Sequence, residues 1–252
     1  MDVERLRAFY RTPLGDAATE MIARRVSALW PNVDGQDVLG FGHSERWLTP
    51  YLGRARRVIA ASPAAQGVAR WPATGRSSST LVEDDRLPFA DSVFDRVMLA
   101  HGLEETDSPR RLLRELWRVT APEGRLLIVV ANRSGLWARA EGTPFGHGQP
   151  YSRTQLTRLL ESALFQPVAW TRALYAPPIQ MGFVASAAEA WERAGEIAWP
   201  QFGGVLMAEA VKRLYADIDP PRTGLAVSRM PAAASTKPTA RHVDISKLEK
   251  ES

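Results

Sequence analysis

At 252 residues, with 45% hydrophobic and 24% charged side chains, the chain can bury a full core and reads as a soluble globular protein. Cysteine is absent, which excludes disulfides, thiolate nucleophiles and cysteine-held metals, and the four histidines lie too far apart for a short metal-ligand motif, so no metal is expected. The net charge of +4 is weak ground for a nucleic-acid partner, no apolar run approaches the roughly 18 residues of a membrane span, and the charged start MDVERLRAFYRT does not suit a signal peptide; the cytoplasm is the expected compartment.

Both DVERLRAFYRT and DAATEMIARRVSALW place apolar residues three and four apart, which predicts two amphipathic helices broken near Pro13 and Gly15. Residues 1–35 thus form an N-terminal helical segment. DVLGF follows as a short apolar strand, ERWLTPYL as a helix pattern interrupted at Pro50, and RRVIAAS as a second strand. STLVE gives a third strand, FDRVMLAH a fourth, a helix runs from about Pro109 to Val119, and GRLLIVV is a fifth strand. Its continuous apolar character is that of a strand buried on both faces of a parallel sheet. Strands separated by helices imply right-handed crossovers and a doubly wound α/β sheet, whose ligand sits beyond the carboxyl ends of the strands. In the helix between, Arg110, Arg111, Arg114 and Arg118 recur at helical spacing; this reads first as a solvated face and second as a phosphate-contacting stripe.

After the fifth strand, NRSGLWARAEGTPFGHGQPYSRTQL is a long Gly- and Pro-rich loop that leaves from the ligand-binding edge and ends at a helix cap, Ser152. Its polar tips, His147 and Tyr151 among them, suit contact with a substrate; packing of the loop on the two leading helices is the equal alternative. RTQLTRLLESALF is then a helix, QPVAWTRALY a strand, SAAEAWERAGEIAW a helix and GGVLMAEAVKRLY a closing strand. The domain is expected to span 36–218, with 219–252 a disordered tail of Pro, Ala, Ser and charge.

The stretch VEDDRLPFADSVFDRVMLAHGLEETDSPRRLLRELWRVTAPEGRLLIVV resembles the middle of class I S-adenosylmethionine-dependent methyltransferases of the small-molecule type, methyltransferase type 11-like. The resemblance runs from about Asp37 to Val130 and implies a Rossmann-like sheet, S-adenosylmethionine as cofactor and a small-molecule acceptor. It also implies a crevice lined by the first turn, Gly40, Phe41, Gly42 and His43, by Ser62 after the second strand, and by Glu83 and Asp84 after the third. Glu83 stands where the family accepts from the adenine amino group, and plain solvation is the alternative. His101 closes the fourth strand, as a pocket-lining hydrogen bonder first and a general base second.

The first turn departs from the family's Gly-x-Gly-x-Gly pattern. Gly40 occupies the acidic position, Gly42 is the first glycine, and Ser44 and Arg46 replace the next two. The second strand offers Ala60, Ala61 and Ser62 where the family carries a ribose-binding carboxylate. Two outcomes stay open: a rebuilt turn that binds the cofactor in a variant pose, or a methyltransferase fold retained without catalysis to bind a metabolite or a protein partner. No catalytic residue is assigned, because methyl transfer is largely a matter of positioning.

Overall fold

In the computed structural model, residues 1–179 and 188–213 are described. Helix α1 (Val3–Tyr10) starts at Asp2, which accepts the Arg5 N–H. Helix α2 (Pro13–Leu29) is capped by Thr12, whose hydroxyl accepts the Gly15 N–H, while Pro13 takes the first turn, where a missing N–H costs nothing. The break between the helices is therefore Thr12–Pro13. Gly15 lies inside α2 rather than in the break; a Cβ there would meet the Phe9 carbonyl at 2.2 Å, so glycine is what lets the two helices turn so closely.

The sheet contains β1 (Asp37–Gly42), β2 (Arg57–Pro63), β3 (Ser79–Val82), β4 (Phe94–Ala100), β5 (Thr120–Ala131), β6 (Phe165–Ala173) and β7 (Val205–Lys212), in the order β3-β2-β1-β4-β5-β7-β6. The first five run parallel, and β7 is antiparallel to both β5 and β6. β1 to β5 therefore end on one edge, and β6 ends there too. Helices α4 (Pro109–Val119) and α5 (Arg153–Ser162) follow β4 and β5 with connections as expected, and α6 (Ala188–Ala198) precedes β7. Only four residues after β1 are α-helical, α3 (Glu45–Leu48), before a 3-10 turn at Thr49–Tyr51 that takes in Pro50. The first residues of the expected SAAEAW helix and the expected tail lie outside the described residues.

Strand alternation divides the core between two faces. Val38, Met98, Leu127 and Met207 pack with α1, α2 and Trp47, whereas Leu39, Phe41, Val97, Leu126 and Ile128 pack with α4 and α5. The arginine stripe of α4 is mostly spent inside the fold. Arg118 donates to the Leu87 and Phe89 carbonyls and to Asp91 and Glu115, tying down the LPFADS turn; Arg114 reaches the Ser162 carbonyl, and Arg111 lies 3.6 Å from Asp85. The loop after β5 is ordered: short 3-10 turns form at Leu136–Arg139 and Pro144–Gly146, and buried Trp137 and Phe145 anchor them. No helix among the described residues is long and apolar enough to cross a membrane, and none of their side chains form a cluster suited to a metal ion.

Candidate functional site

The turn after β1 closes onto the tip of β4. Gly42 has φ +75°, and a Cβ there would lie 2.2 Å from the Ala100 carbonyl, so only glycine allows the approach. The next N–H, that of His43, donates to the same carbonyl at 2.9 Å. Gly40 is closely packed: a Cβ on it would strike Ser44 Oγ at 2.2 Å and Leu48 at 2.3 Å. The missing glycines have thus become Ser44, folded back onto the strand, and Arg46, whose guanidinium sits 4.9 Å over the Tyr10 ring. Phe41 points into the α4 face of the core.

His101, in a left-handed conformation just past β4, sits at the centre of the crevice. Its Nε2 shares a hydrogen bond with the Tyr10 hydroxyl at 2.5 Å, and its carbonyl accepts from Gln66 Nε2 at 2.8 Å. The Trp47 ring stacks on it at 6.2 Å, Phe145 lies 4.9 Å away, and Tyr10 in turn stacks on His43 at 5.6 Å. All five rings are buried. Burial, then His43, depresses His101 to about 3; burial, then Arg46 and Arg7, depresses His43 to about 4, so both imidazoles are neutral at pH 7. Burial raises the Tyr10 phenol well above its ordinary value, which keeps it protonated.

Ser62 is buried at the end of β2, with no carboxylate there. Glu83 is exposed just beyond β3, and Asp84 accepts from the Thr106 hydroxyl at 2.6 Å. Of the two loop residues, His147 is half-buried, and Tyr151 is buried and donates to the Leu103 carbonyl at 3.2 Å. Burial and nearby Glu104 push Tyr151 up to about 12. Tyr151 borders a cavity of about 500 Å³ that it shares with Arg110, Arg111 and Gln149. Phe145, from the same loop, is 6.5 Å from Phe9 of α1 and joins the ring cluster.

Sequence reasoning passes over Tyr10, Gln66 and Glu104. The aromatic pair Phe9–Tyr10 was the one visible signal, and it pointed to Tyr10 alone. Gln66 ties α1 down, since its carbonyl accepts the Val3 N–H while its amide reaches His101. Glu104 accepts the Ala131 N–H through Oε1 at 3.0 Å and the Gln149 N–H through its carbonyl at 2.8 Å. Its Oε2 is buried without a partner, and burial pushes the carboxyl up to about 7.

A strand order of 3-2-1-4-5-7-6 with a reversed seventh strand is joined by a match of residues 38–128 to a family model described as a methyltransferase domain. Those residues are thus similar to a methyltransferase domain. A demethylmenaquinone methyltransferase of Mycolicibacterium paratuberculosis is 34% identical to the chain over 94 residues, 37% of this chain and 41% of that protein. The chain thus matches less than half the length of this curated relative. Among solved structures, an S-adenosylmethionine-dependent methyltransferase of Thermotoga maritima superposes with a TM-score of 0.60 at 16% identity, covering 84% of this chain and 96% of that one. The [4+2]-cyclase SpnF reaches 0.55 at 18% identity, over 80% and 83% of the two chains. Both likenesses are of fold, and a fold hosts more than one chemistry.

Set against S-adenosylmethionine, the crevice of this methyltransferase-like fold does not fit the cofactor as arranged. Tyr10, His43, Trp47, His101 and Phe145 fill the space above β1 and β4, and Gln66 crosses it. The cavity that borders His43 measures about 150 Å³, where pockets for small molecules start at about 300 Å³. Neither β1 nor β2 presents a carboxylate to the crevice: Gly40 and Ser62 stand at those places.

Proposed function

We propose that the protein is a methyltransferase acting on a small-molecule acceptor, held here in a closed state with α1 in its crevice. The observation that carries this reading is the retained turn at Gly42, in its positive-φ conformation against Ala100, within the segment that matches the methyltransferase model. The demethylmenaquinone methyltransferase relative supports a small-molecule acceptor. In this arrangement the chain's own residues fill the crevice: Tyr10 and Gln66 hold His101 in place, and burial keeps its imidazole neutral. No residue is assigned to proton transfer, because both imidazoles are buried and Tyr10 packs against each of them.

The packed rings and the absent carboxylates favour a second reading, a non-catalytic methyltransferase-fold protein. Calorimetric titration with S-adenosylhomocysteine separates the two. Under the first reading Tyr10→Ala, checked for folding by circular dichroism, binds at least tenfold tighter than wild type. If neither protein binds at millimolar ligand, the methyltransferase reading falls and the non-catalytic one stands.

A further inference from the structure

Past the carboxyl ends of β5 and β6 lies a pocket of about 450 Å³, within the range of about 300–1,000 Å³ usual for small-molecule sites. Four segments wall it: Leu136 from the turn after β5, Tyr175 and Pro177 from the chain leaving β6, Trp191 from α6, and Trp199 and Phe202 from the residues that lead into β7. Among the described residues, no charged side chain lines it, and aromatic rings supply most of its wall.

Bonds within the chain hold these walls in place. Tyr175 is fixed at both ends: its N–H donates to Glu192 of α6 at 2.6 Å, and its hydroxyl donates to the Pro200 carbonyl at 3.1 Å. Its side chain covers Gly195, where a Cβ would lie 2.4 Å from that of Tyr175, so glycine lets α6 come this close. Asn132 Nδ2 donates to the Gln201 and Gly203 carbonyls at 3.0 and 2.7 Å, fastening the turn that carries Phe202 to the end of β5. Trp137 Nε1 donates to the Ala176 carbonyl at 2.7 Å, and Arg25 of α2 pairs with Glu196 of α6 at 2.7 Å. On this fixed backbone Leu136, Trp199 and Phe202 are 57%, 55% and 47% exposed, and Trp191 is 37% exposed. Apolar side chains gathered at the surface mark a place of contact, and a wall already set in position binds without the cost of ordering it.

We propose that this pocket binds a neutral small molecule built on an aromatic ring system. An ion entering it would lose its hydration with no charged group to replace it. A flat ring meets the Tyr175, Trp191, Trp199 and Phe202 rings in offset or edge-on contacts, which an aliphatic chain does not make. Trp137, the residue after Leu136, packs on Phe145 of the ring cluster at 5.5 Å, so the pocket lies beside the crevice and not within it. The site stands independently of the methyltransferase reading, since binding here needs neither a cofactor nor an opened crevice.

The test is titration of the full chain with N-phenyl-1-naphthylamine, a neutral aromatic probe, read by its fluorescence. Displacement by 2-naphthol, 2-naphthoate and decanol then sorts neutral rings from charged rings and from chains. We expect saturable binding that 2-naphthol displaces in preference to the other two, and that weakens about tenfold or more in Trp199→Leu and Phe202→Leu. Trp199→Phe keeps a ring and should retain most of the affinity, which a purely apolar wall would not require. Ile197→Ala, at an 85% exposed position of α6 outside the pocket, should bind as wild type does. Circular dichroism checks that each variant is folded, and the displacement series on the wild type needs no variant at all. The proposal is overturned if the probe does not saturate, if Ile197→Ala loses as much as the pocket variants, or if 2-naphthoate or decanol displaces as well as 2-naphthol. Self-association of the chain that Trp199→Leu abolishes, with no probe bound, overturns it in favour of an interface between copies.

Discussion

Replacing Glu104 by Gln should change how stability depends on pH. The carboxyl is buried between the segment after β4 and the end of β5, and burial is the largest cause of its rise from the ordinary 4.5 to about 7. Two hydrogen bonds from N–H groups, those of Ala131 and of its own residue, oppose the rise, and neighbouring Glu105 adds to it. A group whose folded-state value is raised contributes stability that is whole below its unfolded value and lost as pH climbs through the folded one. The loss therefore develops between about pH 4.5 and 7. A rise of 2.5 units, from 4.5 to about 7, corresponds to about 3 kcal/mol at roughly 1.4 kcal/mol per unit. The Gln variant keeps an oxygen for the Ala131 N–H and has nothing to ionise. Urea unfolding of both proteins at intervals from pH 4.5 to 8 gives the assay, and the difference between them isolates Glu104 from every other titrating group. That difference should shift by about 3 kcal/mol in favour of the variant as pH rises. A constant difference across the range would show that the carboxyl is solvated and the argument wrong.

Histidines act in the opposite sense. His101 and His43 are depressed to about 3 and about 4, so unfolding takes up protons below the ordinary 6.5, and the stability they contribute above that pH is lost as pH falls toward 4. His101→Gln should flatten that acid limb in a thermal-melt series, and an unchanged limb would place the proton uptake elsewhere. Gly42→Ala should cost about 3 kcal/mol or more by urea unfolding, because the new Cβ meets the Ala100 carbonyl. Gly35→Ala, at φ +70° but with nothing within 4 Å, should cost only about 1–2 kcal/mol for its backbone conformation. Equal costs at the two sites would remove the close-approach argument.

Apolar runs such as GRLLIVV and the turn LPFADSVFD made the parallel half of the sheet readable, because buried strands and anchored turns leave local signatures. β6 and β7 were readable as strands, but nothing local shows that β7 is reversed and inserted between β5 and β6. The altered first turn was visible residue by residue. Its consequence was not, because Ser44 and Arg46 acquire meaning only from Tyr10, more than thirty positions earlier, which occupies the space the glycines would have left. An amphipathic helix such as α1 reveals that it packs, not where. Glu209 shows the same limit: it lies in an apolar strand, and only the fold brings Trp30 and Arg125 within 3.0 and 2.7 Å of its oxygens.

α1 has eight residues, well short of the about 12–15 that sustain an isolated helix in water. Its helical form therefore depends on its seat against His101, Trp47 and Phe145. Withdrawal of Tyr10 would be a local melting event, all or none, and not the swing of a rigid flap. Any molecule that needs the crevice then competes with refolding. Its measured affinity is its intrinsic affinity multiplied by the small fraction of chains with α1 melted, and its observed arrival rate levels off at the melting rate however much is added. A stopped-flow trace that reaches such a plateau would time the first ten residues of the chain instead of the ligand.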